Sequence, residues 1–215
     1  MSHSPTLFDA GSALLGEPCQ TPPAVAALIA QLATARIGAT FNQFASDAPD
    51  GEGCRDRLRR YLAWRWHHAD VVLVGEAAGY KGALLSGIAF TSIRQLGIGQ
   101  TSEQSATIVH RVLVAHAAER RVILWNTVPT HPFVSGLPGA SNRGPTKEEV
   151  AIGRELLEPI CAGRTVVAVG KVAQAAIGGQ VPSVRHPARG GAAAFEAGVG
   201  EIFSSVLGGR SCLTA

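Results

Sequence analysis

Apolar residues recur along this chain with two different periods. The runs Val71-Val72-Leu73-Val74, Val122-Ile123-Leu124-Trp125 and Thr165–Val169 are short, continuous and largely β-branched, as in strands buried on both faces. Val181–Arg185 is a fourth, weaker candidate. Between the runs the spacing turns helical. From about Glu103 to Arg120, Ile108, Val112 and Ala115 share one face, and further helices are expected over about Ala24–Ala35, Arg55–His68, Lys171–Ile177 and Ala192–Leu207. Pro22-Pro23 suits the first turn of the earliest helix. Thr146-Lys147-Glu148-Glu149 has the spacing of a capping box that opens a helix reaching about Cys161. Strands alternating with helices predict an α/β fold, a three-layer αβα sandwich around a four-stranded parallel sheet. The first twenty residues, with Pro5, Gly11, Gly16 and Pro18, read as an arm on a single domain spanning 1–215.

Composition narrows the class without naming a function. A chain of 215 residues can bury a full core, and 46% hydrophobic with 16% charged residues excludes a disordered protein. Net charge is +3, too mild to identify a polyanion partner by itself. Cys19, Cys54, Cys161 and Cys212 are scattered with no paired spacing, so neither a disulfide framework nor a metal site is expected, and no cofactor. No apolar run approaches the ~20 residues that span a bilayer. The amino terminus lacks a basic region followed by an apolar core, so a cytoplasmic, monomeric protein without a membrane partner is expected.

The chemistry concentrates where strands stop. Gly75-Glu76-Ala77-Ala78-Gly79-Tyr80 follows the first run; Asn126, with Pro129, His131 and Pro132 beyond it, follows the second; Val184-Arg185-His186-Pro187-Ala188 ends the last. Open α/β sheets bind ligands at such carboxyl ends. A carboxylate, an amide and an imidazole offered together suit chemistry on a heteroaromatic ring.

In that order, Gly75-Glu76-Ala77-x-Gly79, Ser86-Gly87-x-x-Phe90-Thr91-Ser92, Leu124-Trp125-Asn126-x-x-Pro129 and His186-Pro187 resemble the motifs of the uracil-DNA glycosylase superfamily, over roughly residues 70 to 205. Asn142-Arg143-Gly144-Pro145-Thr146 is similar to its bacterial branches. The chain departs from the Gly-Glu-Ala-Pro-Gly form at Ala78, and it lacks the cysteine pattern by which many such relatives hold an iron–sulfur cluster. No G-x-G-x-x-G follows the first strand, which argues against a generic nucleotide-binding domain.

The resemblance implies base flipping and hydrolysis of the N-glycosidic bond of uracil in single- or double-stranded DNA. It assigns the Asn126 amide to uracil N3–H and O4, His186 to O2, and the Phe90 ring to stacking on the base. An aspartate of the best-studied branch is replaced by Ala77, which leaves Glu76 as the catalytic acid of the motif and His131 in reserve to position water. Ala77, Gly79 and Tyr80 are expected around the base. Gly79, standing where another branch has tyrosine, would leave room for small 5-substituents. Ser86, Lys171, Ser183, Arg189 and Gly190 are expected to touch DNA, Lys171 at a phosphate and Arg189 in the gap left by the flipped base. The group Arg55, Arg57, Arg59, Arg60 and Arg65 reads as the wet face of an amphipathic helix. With no lysine at a nucleophile position, the enzyme would be monofunctional. A glycosylase for hypoxanthine or xanthine, or a lesion-binding protein without turnover, are the alternatives.

Overall fold

Four parallel strands carry the fold in this computed structural model, which describes residues 14–16 and 19–208. β2 (Val71–Ala77) lies between β3 (Val122–Val128) and β5 (Thr165–Val169), and β6 (Ser183–Val184) forms the far edge. A two-residue antiparallel pairing, β1 (Thr40–Phe41) with β4 (His131–Pro132), sits apart from this sheet. Among the described residues seven helices flank the strands: α1 (Pro23–Thr34), α2 (Gly51–His68), α3 (Ala83–Ser86), α4 (Gln104–Ala115), α5 (Lys147–Cys161), α6 (Lys171–Ile177) and α7 (Ala192–Leu207). No helix among the described residues is long and apolar enough to cross a membrane. Of the expected arm, residues 1–13, 17 and 18 lie outside the described residues, whereas Leu14 and Leu15 are buried in the core.

The sheet's centre is dry, as the unbroken apolar runs require: Val71 to Val74 and Val122 to Leu124 are at most 1% exposed. Both strands run three residues beyond those runs. Gly75 lies opposite Asn126 and Ala77 opposite Val128, and Thr127 Oγ1 donates to Gly75 O at 3.0 Å, so polar residues are absorbed into the ladder. β6 is shorter than expected because Pro182 has no N–H to donate, although its carbonyl accepts from Ala168 N. The helix expected to reach Arg120 ends at Ala115, two residues before Ala117 turns left-handed at φ 48°. α3, β1 and β4 are too short for any period to reveal.

Two buried polar side chains fix the outer parts to the sheet. Tyr61 on α2 accepts from Leu124 N at 2.8 Å and donates to Val122 O at 3.3 Å, satisfying the open side of the edge strand β3. Arg65, one turn on, is 1% exposed and not on the wet face: its guanidinium lies 4.1 Å over the Tyr61 ring and donates twice to Glu119 O. The aliphatic-looking helical pattern hides this, because a guanidinium is buried only when backbone carbonyls receive it.

Glu149 is the second anchor. Its backbone N–H reaches Thr146 Oγ1 at 3.2 Å and its carboxylate accepts from Thr146 N at 2.8 Å, completing the expected capping box. Both carboxylate oxygens also receive Arg143 at 2.7 Å, and Ala39 N adds a bond at 3.1 Å. One carboxylate, 1% exposed, thereby joins α5, the approach to β1 and the Asn142–Thr146 loop. Its bonds to Arg143 hold the Glu149 carboxyl below the usual range. A depressed carboxyl contributes stability at neutral pH that disappears as pH falls through its folded value. Arg143→Ala is therefore expected to lower stability by about 3 kcal/mol at neutral pH. In urea titrations that deficit should shrink as pH drops below ~4.3, where the carboxyl ordinarily protonates.

Candidate active site

The carboxyl ends of β2, β5 and β6 open onto one cleft of about 860 Å³. Glu76 to Gly79 form one wall, Ser183 to His186 the facing wall, and Asn142 to Gly144 one end. At its floor lies a void of about 30 Å³ where Gly79, Phe90, Asn126 and His186 meet Ala77, Ala83, Glu103 and Ser105. The first three motifs and the last, distant in sequence, thus meet around one small space.

Gly75 makes the floor possible. A Cβ there would lie 2.5 Å from Phe90 Cζ and 2.6 Å from Asn126 Oδ1, so the ring and the amide occupy the side-chain space that glycine leaves empty. Phe90 itself has φ 50°, a conformation that costs an ordinary residue of order 1–3 kcal/mol. That backbone is held by Ser86, whose hydroxyl donates to Thr91 O at 2.6 Å and accepts from Ile88 N at 3.0 Å. Ser86 is fully buried, so the expectation that it touches DNA is corrected: its hydroxyl is spent on the turn that presents Phe90.

Asn126 is 5% exposed, and its amide finds no hydrogen-bond partner among the described residues. A buried amide left unspent has both a donor and an acceptor to offer a ligand. Across the void, His186 lies with its ring centroid 6.4 Å from that of Phe90, tilted by 40°. Ala188 N donates to His186 Nδ1 at 3.2 Å. In the neutral ring the proton is then on Nε2, the nitrogen left free to donate. Burial first, and the Arg189 charge second, push the His186 pKa down and favour that neutral form.

Glu76 is half-buried in the cleft wall, and burial pushes its carboxyl up while the Arg189 guanidinium pulls it back. Arg189 and Gly190 both turn left-handed, at φ 55° and 76°, which swings the exposed Arg189 side chain over the cleft rim. Lys171 and Ser183 also line the cleft.

Other expected contacts are placed elsewhere. His131 is 0% exposed and lines neither the cleft nor the floor void, so the expectation that it meets the base is corrected; its Nδ1–H donates to Ala78 O at 2.7 Å and supports motif one from behind. Tyr80 does not line the cleft; its backbone N–H holds Asn142 Oδ1 at 3.0 Å. The side-chain position of Gly79 is not vacant, as the expectation of room for 5-substituents needs: a Cβ there would lie 2.9 Å from Glu103 Oε1.

Among the described residues no group of three or more His, Cys, Asp or Glu side chains can hold a metal ion. Cys19, Cys54 and Cys161 stand as separate free thiols, and Cys212 lies outside the described residues.

Residues 66–206 match the family model for the uracil DNA glycosylase superfamily. The chain belongs to that superfamily. The crystal structure of wild-type SMUG2 from Pedobacter heparinus is similar in fold, with a TM-score of 0.58 at 14% identity, covering 86% of this chain and 97% of that one. No curated protein matches the chain. Membership supports a DNA glycosylase, a hydrolase of N-glycosyl bonds that serves DNA repair.

Sequence reasoning missed four polar cleft groups of this glycosylase: Glu103, Gln104, Ser105 and Gln174. Glu103 reads in sequence as an acid at a helix start, and spacing carries no sign that its side chain turns inward. Gly75→Ala tests the floor directly. It is expected to displace the amide and the ring, reducing base excision about 10²-fold. Circular dichroism should still report a folded protein, and an unchanged single-turnover rate would show that the floor tolerates the extra carbon.

Proposed function

We propose that this glycosylase removes uracil from DNA as a monofunctional enzyme, using water as the acceptor. The observation that carries the proposal is the convergence of an unspent amide, a donor imidazole and an aromatic ring on one void. Uracil offers N3–H as donor and O4 as acceptor side by side, the pattern an asparagine amide complements. With Asn126 on that edge, O2 points to His186 Nε2–H and the ring face lies on Phe90.

Chemistry follows from where charge develops. As the C1′–N1 bond breaks, its electron pair moves into the base and appears largely on O2, while the sugar becomes cationic. A fixed donor aimed at the developing oxyanion lowers the barrier more than it stabilises the neutral base. Glu76, ionised, offsets the sugar's positive charge and orients the water that adds to C1′; the proton shed by that water passes to solvent. Lys171, Ser183, Arg189 and Gly190 hold the flanking DNA, with Arg189 at the rim where the flipped nucleotide leaves the stack.

Single-stranded and duplex oligonucleotides carrying one uracil, hypoxanthine or xanthine, treated with enzyme and then alkali, test the reading. Cleavage at uracil supports it. Cleavage only at a purine lesion, or binding without cleavage, would replace it with one of the two alternatives. Asn126→Ala is expected to slow uracil excision by about 10²-fold or more with the melting temperature kept within a few degrees, by analogy with loss of one oxyanion donor.

Glu76→Gln should retain DNA binding and slow the chemical step. The carboxylate acts when ionised, and its pKa lies above the ordinary carboxyl value. Wild-type single-turnover rates should therefore fall as pH drops through that raised value, and the Gln variant should lose this acid limb. An identical limb in both proteins would move the carboxylate role to another group.

A further inference from the structure

The strongest unassigned feature is the Glu103 carboxyl. Its backbone is fixed as the residue preceding α4, with Glu103 N donating to Ser92 Oγ at 3.1 Å, yet its side chain does not cap that helix. The carboxyl instead turns toward motif one and lines both the cleft and the small void at its floor, with Ser105 beside it. It is seated on two glycines. A Cβ on Gly79 would lie 2.9 Å from Oε1, and one on Gly82 would collide with Oε2. Side chains at either position would evict it, so the backbone around it is shaped to admit a carboxyl group at this point.

Its place relative to a base follows from the other walls, and so rests on the uracil reading above. N1 of a flipped pyrimidine faces the DNA. O2 is assigned to His186, N3 and O4 to Asn126, and the ring face to Phe90. The C5–C6 edge is what remains. In the floor void, the side-chain polar groups apart from those of Asn126 and His186 belong to Glu103 and Ser105, since Ala77, Gly79, Ala83 and Phe90 have none.

We propose that Glu103 is a specificity residue that reads the 5-position of the pyrimidine and selects substituents able to hydrogen-bond over apolar ones of similar size. The wall beside C5 is a carboxyl, not a hydrocarbon surface or an open space. A 5-hydroxymethyl group can donate to it. A 5-methyl group must desolvate it and return nothing, and leaving a buried polar group unpaired discriminates far more strongly than a methylene of extra size. The backbone at Gly79 and Gly82 leaves the carboxyl the room to make this contact.

The test uses the full chain and three single-stranded oligonucleotides of one sequence carrying uracil, 5-hydroxymethyluracil or thymine, so that base pairing does not enter. Single-turnover rates are measured for the wild type, Glu103→Gln, Glu103→Leu and Gly79→Ala. The wild type is expected to remove 5-hydroxymethyluracil about 30-fold faster than thymine, the ratio that one hydrogen bond to a charged group gives. Glu103→Leu should collapse that ratio toward unity, losing rate on 5-hydroxymethyluracil and gaining it on thymine. Glu103→Gln, which keeps size and hydrogen bonding, should retain part of the ratio, and Gly79→Ala should lower it by displacing the carboxyl without removing it. Should Glu103→Leu fail to fold, these last two variants decide. A wild type that removes uracil while the ratio is absent, or is unchanged in the variants, overturns the role of Glu103 alone. A wild type that removes none of the three bases overturns the uracil reading and this inference with it.

Discussion

The site depends on one missing side chain. β2 and β3 are locked in parallel register with Gly75 opposite Asn126, and at that level two elements must share the space a Cβ would take. The Phe90 ring enters from the turn after α3 and the Asn126 amide from the neighbouring strand. Because the sheet sets the register through main-chain hydrogen bonds and a dry apolar centre, the ring and the amide inherit their positions from the most rigid part of the molecule. The strained φ of Phe90 is tolerated for the same reason: the Ser86 hydroxyl closes the turn on both sides, and the ring has nowhere else to go.

Electrostatically the cleft divides into two zones. Its rim carries Arg143, Lys171, Arg185 and Arg189, a cationic border suited to a phosphate backbone. Its interior carries the Glu76 and Glu103 carboxyls, both pushed upward by burial, and a histidine kept neutral. Arg189 belongs to both zones. It opposes the upward shift of Glu76 and reinforces the downward shift of His186, so one residue at the rim tunes two groups inside the cleft.

Much of this was legible in the chain because strands and helices announce themselves by period. The apolar runs located three strands of the sheet and the weaker Val181–Arg185 candidate contained the fourth, the Thr146–Glu149 spacing located the cap of α5, and the ends of those strands pointed to Glu76, Asn126 and His186. What stayed hidden was orientation. Ser86, Tyr80 and His131 lie within or beside the motifs, yet each is spent on backbone: the Ser86 hydroxyl and the His131 ring bond carbonyls, and the Tyr80 N–H holds Asn142. Arg65 sits in a row of arginines that share a helix but not an environment. Glu103 is the converse case, a residue outside every motif whose side chain is drawn into the floor by two glycines contributed from elsewhere in the chain. A linear pattern reports which face of an element is apolar. It does not report which polar groups the tertiary structure consumes and which it leaves available.

Tyr61 has an implication of a different kind. An edge strand with unsatisfied amides invites another chain to add itself to the sheet, and β3 is both an edge and among the most apolar segments of the molecule. By occupying Leu124 N and Val122 O from inside the protein, a single phenol removes the contacts a foreign strand would need, at the level where the strand is driest. The strand that carries Asn126 is thus blocked at Val122 and Leu124, while its far end reaches the floor void. Self-association through this edge is opposed there without a charge or a proline in the strand itself, and the strand remains free to be apolar enough to anchor the amide.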